Sequence, residues 1–152
     1  MAVRFLPSSR VASHRDLKAW QHAKTLAVGC LKASRVFPAY EERGLADQLR
    51  RASTSVALNI AEGCNRGSNK EFRQFLEMAR TSLDEVAAIL DIAGEAGYLN
   101  PNVHGALVDR QAEAARTLYG LLRAVNARLE SGEVARLRRP GSARGGPRDT
   151  AD

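Results

Sequence analysis

The residues Phe72, Leu76, Ala79, Leu83, Val86, Leu90 and Ala93 recur in alternating steps of four and three. This spacing keeps one stripe of a helix apolar for about six turns and predicts a long helix packed along its length. It is the strongest periodic signal in the chain. Ser68 precedes it with Glu71 at the capping-box distance, and Gly97 follows as a stop. The flanking segments read the same way. Leu17, Trp20, Ala23, Ala27, Cys30, Leu31 and Ser34 give a small or apolar side to a helix over about 16–37, opened by Ser13 and Asp16 and stopped by Pro38. Leu45, Leu49, Ala52, Val56 and Ile60 predict a second helix over about 45–62, with Gly63 as its C-terminal stop. Asn100-Pro101 opens the last helix, Val103, Leu107, Ala114, Leu118, Leu121 and Val125 form its stripe, and Gly132 is its expected end.

No segment reads as a strand. Four helices with short connections, each apolar on one side, predict an all-α fold: an antiparallel up-down four-helix bundle. The third and fourth helices outrun the second by several turns, which leaves helix ends exposed to a partner. Three regions are expected: a flexible basic arm over 1–15, the bundle over 16–130, and a disordered Gly/Pro/Arg-rich tail over 131–152.

The 152 residues suffice for one core, with 44% hydrophobic and 26% charged residues. The longest uncharged run, Ala96 to Val108, is broken by Gly, Asn and Pro and is too short to span a bilayer. No secretory leader is apparent, and Cys30 and Cys64 form no disulfide framework, so a cytoplasmic location is expected. The net charge of +6 is concentrated at the ends. Residues 1–15 hold three arginines and no acid, and 131–152 hold five arginines against three acids. The expected bundle has 15 basic and 14 acidic residues. A high pI therefore does not by itself make the body a nucleic-acid binder.

Catalytic patterns are missing. His14, His22 and His104 lack the Glu-x-x-His spacing of a di-iron bundle, and two distant cysteines do not make a zinc site. Gly63 to Lys70 has the wrong spacing and the wrong flanking element for a phosphate loop. Ser82 has no histidine beside it for a triad. The sequence predicts no enzyme, no catalytic residues, no metal, no cofactor and no small-molecule substrate.

Several stretches carry a resemblance. They are Asp16-Leu17-Lys18-Ala19-Trp20, Gln48-Leu49-Arg50-Arg51-Ala52, Asn59-Ile60-Ala61-Glu62-Gly63, Ser68-Asn69-Lys70-Glu71-Phe72, Phe75-Leu76 with Ala79-Arg80, Ser82-Leu83, and Gly97-Tyr98-Leu99. In order and spacing the chain from Asp16 to Leu99 resembles the four-helix bundle family named for proteins encoded within 23S rRNA intervening sequences. A related branch holds the accessory variability protein of diversity-generating retroelements. The sequence departs from the family at Thr81, where glycine is frequent, and at Ala87, where a second glutamate is frequent. The resemblance implies a bundle that assembles as a ring, commonly a homopentamer, with no enzyme activity. For the retroelement branch it implies a basic ring that binds RNA and a reverse transcriptase. The nearly neutral body is closer to the intervening-sequence branch.

Two sets of residues stand out within this frame. Arg50, Arg51, Arg66, Lys70 and Arg73 surround the second helix and the start of the third, an excess of cations that a ring would multiply into a phosphate-binding surface. The plainer reading is a solvated face with intrahelical ion pairs. Asn59 and Glu62 fall where the apolar stripe of the second helix continues, with Arg80 as a partner. They read as a structural polar network that fixes register or assembly, or less simply as a pocket. The expected function is a non-enzymatic homo-oligomeric scaffold or adaptor that holds RNA or a nucleic-acid enzyme. The alternative is a protein–protein interaction module with no nucleic-acid role.

Overall fold

A computed structural model describes residues 13–137. Among them there are four α-helices and no strand: α1 (Lys18–Ser34), α2 (Leu45–Cys64), α3 (Asn69–Glu95) and α4 (Pro101–Leu137). Each helix packs on two others. α1 lies against α2 and α4, and α3 lies against the same two. No helix among the described residues is long and apolar enough to cross a membrane.

The heptad stripe of α3 is the middle of the core. Leu76, Ala79, Leu83, Val86, Leu90 and Ala93 are all buried, and Phe72 packs half-buried at its start. Leu49, Val56 and Ile60 of α2, Leu26 and Cys30 of α1, and Leu107, Leu118 and Val125 of α4 complete it. Fully burying one such aliphatic side chain is worth about 1.5–3 kcal/mol. On α1 the stripe differs from expectation. Leu26 is fully buried, whereas Leu31 and Val28 face solvent, because the helix turns Ala23, Ala27 and Cys30 inward.

The helix ends follow local chemistry. Ser68 Oγ accepts from the Glu71 N–H at 3.2 Å and donates to the Glu71 carboxylate, which closes the N-terminus of α3. Asn100 Oδ1 accepts from the Val103 N–H at 2.9 Å ahead of α4. Gly97 has φ 75°, and the amides of Gly97 and Tyr98 donate to Gly94 and Ala93 carbonyls. That is a Schellman end for α3.

Four expected boundaries are corrected. Ser13 and Asp16 close a short 3-10 turn over His14–Asp16, and α1 begins at Lys18 and stops at Ser34. Gly63 does not stop α2, which runs to Cys64. Gly132 does not stop α4, which continues to Leu137. A terminating glycine needs the left-handed conformation, and among the described glycines only Gly97 adopts it. Most of the expected arm and tail, residues 1–12 and 138–152, lies outside the described residues.

Gly63 serves packing instead. A Cβ built there would stand 2.7 Å from Phe75 Cβ and 2.9 Å from Phe72 Cδ2, so the missing side chain lets α3 approach α2. Trp20 is half-buried at the edge of the core, with the His14 ring edge-on at 4.8 Å and Lys24 Nζ 5.1 Å from its ring centre.

Candidate nucleic-acid interface

The five basic residues do not form one cluster. Arg50 and Arg51 lie in the second turn of α2 and Arg66 lies beyond its end, about 24 Å along the axis. Three of the five are already compensated. Arg50 donates to the Glu42 carbonyl at 2.9 Å, pairs with the Glu42 carboxylate at 3.1 Å and stands 3.8 Å from Asp47. These bonds tie the α1–α2 connection to α2. Arg51 pairs with Asp47 at 3.1 Å. Arg66 pairs with Glu62 and lies over the Phe75 ring at 4.8 Å. Lys70 and Arg73 differ: both are exposed, and neither has an ion-pair partner among the described residues.

The polar trio is not brought together either. Glu62 goes to Arg66, and Arg80 goes to Glu77 at 2.8 Å. Asn59 Nδ2 donates to the Ser55 carbonyl and to Ser55 Oγ, both at 2.9 Å. Ser55 Oγ in turn meets Ser82 Oγ at 2.9 Å, a polar link between α2 and α3. Sequence reading missed Ser55, because a serine in a helix gives no signal of its partner. The available clue was its position one turn before Asn59 on the same face.

On α3 the residues Lys70, Arg73, Glu77 and Arg80 follow one another at steps of three, four and three, which aligns them along one stripe. The register of Leu83 with Gln111 and of Leu90 with His104 sets Tyr119 of α4 level with Phe75, within the span of that stripe. The hydrogen bond to Glu77 holds the Arg80 guanidinium above its ordinary pKa, followed by the Glu77 charge, with smaller contributions from Asp84 and Tyr119. Tyr119 is 37% exposed, and Arg123, one turn further on, shares its face and is exposed. At the start of the stripe, Asn69 faces Ala127, Arg128 and Ser131 across an open cleft of about 440 Å³. On the same helix, Asn126 Oδ1 is buried with no hydrogen-bond partner among the described residues.

Other reactive groups are quiet. Burial pushes the Cys30 thiol up to about 12. Burial, and then the charge of Asp16, raises the Cys64 thiol. Both thiols are free and are held in the neutral form, which is the weak nucleophile. His104 Nε2 donates to the Leu90 carbonyl at 3.0 Å and serves packing between α4 and α3. Among the described residues no group of His, Cys, Asp or Glu is arranged to hold a metal.

A family model described as "23S rRNA-intervening sequence protein" matches residues 15–120. No curated protein matches the chain. The matched segment runs from the turn before α1 to the middle of α4 and includes Arg50, Arg51, Arg66, Lys70, Arg73, Asn59, Glu62 and Arg80. It covers more than half of the 152 residues, and the chain belongs to the 23S rRNA-intervening sequence protein family.

Proposed function

We propose that this chain is a non-enzymatic, self-associating bundle of the cytosol whose α3–α4 face holds nucleic acid, for itself or for a nucleic-acid enzyme such as a reverse transcriptase. The observation that carries the reading is the pair Lys70 and Arg73. They are exposed cations with no ion-pair partner among the described residues, on one stripe with Arg80 and beside an open cleft. Ion pairs formed within the chain consume the other basic residues of the set, whereas unpaired cations are free to displace counterions from phosphates.

An antiparallel up-down course is supported by the connections, which span residues 35–44, 65–68 and 96–100. It is supported also by contacts that run in opposite senses along α3 and α4, Leu90 with His104 and Leu83 with Gln111. Self-association into a ring, a homopentamer as the family resemblance implies, is supported by exposed apolar side chains. Leu58 is 66% exposed on α2, while Met78 and Ile92 on α3 lie two heptads apart and are 46% and 56% exposed. A ring would repeat the Lys70–Arg73 patch around its circumference.

Anisotropy of a labelled structured RNA over several salt concentrations, paired with light scattering, tests this reading. Full-length protein is expected to bind with a steep salt dependence, to lose most of that binding in Lys70→Glu/Arg73→Glu, and to scatter as about five copies of 16.5 kDa. Equal binding by the double variant would remove this face from the interface. No binding at low salt would turn the search to a protein partner.

A further inference from the structure

The unpaired cations account for attraction to phosphate but not for any choice among nucleic acids. An aromatic ring beside them supplies that choice. Resting on the reading above, we propose that the α3–α4 face takes single-stranded RNA, with Tyr119 and the Glu77-held guanidinium of Arg80 as the surfaces on which unpaired bases stack and Lys70 and Arg73 as the cations of the phosphate lane beside them.

Lys70 to Arg80 covers about 15 Å of helix, the length of about four stacked nucleotides. Arg80 is held at Nε by Glu77 at 2.8 Å, which orients its guanidinium, and the register of Leu83 with Gln111 and of Leu90 with His104 sets Tyr119 level with Phe75, between Arg73 and Arg80. Unstacked bases settle on tyrosine rings and on arginine planes, and this border offers both. The space above the neighbouring turn is open: a Cβ on Gly120 would meet nothing nearer than Arg123 Nη2 at 3.9 Å. A duplex keeps its bases stacked on each other and gains nothing from the ring, so stacking discriminates strand from duplex where charge alone does not. The lane is also only partly positive, because Glu77 and Asp84 lie along it, so charge alone leaves much of the affinity to be supplied.

The other exposed tyrosine does not fit this role. Tyr40 is 76% exposed, but its hydroxyl meets Tyr98 at 3.2 Å, Tyr98 donates to Glu41, and the adjoining Glu42 is 70% exposed. Its neighbours Glu41 and Glu42 offer no lane of unpaired cations, and Arg50 beside them is taken by Glu42.

The experiment uses full-length protein with two probes: fluorescein-labelled oligouridine of about 12 nucleotides, within the usual site sizes for single strands, and an RNA duplex of the same length. Oligouridine is expected to bind more tightly than the duplex. Tyr119→Ala should weaken oligouridine binding roughly tenfold while leaving the duplex unchanged, Tyr119→Phe should restore it, and Tyr40→Ala should change neither. Photocrosslinking of 5-iodouridine RNA to the unaltered protein gives a readout that does not depend on a variant folding, and the crosslinked peptide should contain Tyr119. Lost binding in Lys70→Glu/Arg73→Glu with full binding in Tyr119→Ala, or a crosslink elsewhere, would overturn the stacking site and leave the phosphate face standing. Absence of binding to both probes at low salt would overturn both.

Discussion

Gly94 of α3 and His104 of α4 are in contact through the space a side chain would fill. A Cβ on Gly94 would fall 2.6 Å from His104 Nε2, the same nitrogen that donates to the Leu90 carbonyl. The two helices are held close because one residue has no side chain and the other has its polar end satisfied one turn earlier.

Gly94→Ala should therefore destabilise the bundle, against its helix propensity. Alanine in a helix interior gains about 1 kcal/mol over glycine, but overpacking costs about 1–3 kcal/mol and also displaces a bonded imidazole. In a His104→Ala background the same substitution should become stabilising. Urea midpoints for the four proteins of this double-mutant cycle check the reversal of sign, and equal effects in both backgrounds would remove His104 from the explanation.

Asn126→Leu should raise stability by about 1 kcal/mol. The change removes a buried carbonyl oxygen that has no hydrogen-bond partner among the described residues and adds apolar surface at nearly the same volume. A lower melting temperature would mean that this oxygen has a partner.

The Cys30 thiol gives the bundle an alkaline limit. Its pKa is raised by burial from 9.0 to about 12, so the folded state holds the proton more tightly than the unfolded chain. That contribution is complete below about pH 9 and is lost as pH rises toward 12. Melting temperatures measured across this range should fall less steeply in Cys30→Ala than in the parent protein. A thiol-reactive dye at pH 8 should label the half-buried Cys64 before Cys30.

Arg50 and Arg73 should separate stability from binding. Arg50→Ala removes bonds to Glu42 and Asp47 and should cost about 1 kcal/mol in denaturant unfolding with little effect on RNA affinity. Arg73→Ala should leave unfolding unchanged and lower the slope of log affinity against log salt by about 1. The opposite assignment would place the interface at the other end of α2.

Periodicity made the core legible. The α3 stripe needs no partner to be read, since spacing alone fixes which residues share a face, and all of it but Phe72 is fully buried. Ser68 and Asn100 were equally plain because a cap acts within four residues. What failed was whatever depends on a second segment. A glycine at a helix end looks the same whether it turns left-handed, as Gly97 does, or clears room for Phe72 and Phe75, as Gly63 does. Arg50 and Arg66 are close in sequence but stand at opposite ends of a rod. Ion-pair choices between neighbours, Glu62 with Arg66 rather than with Arg80, turn on rotamers that no pattern records.

The length of α4 separates two kinds of helical residue. Leu129 packs half-buried against the core, and the helix runs on through Gly132 to Leu137. Just past Leu129, Glu130, Ser131, Gly132 and Glu133 are all exposed. Their amides should exchange with deuterated water through local fraying, far ahead of the amides around Leu118, which open only when the whole bundle does. A ligand that seats beside Ser131 would be reported first as slowed exchange in these turns, before any change in the melting of the core.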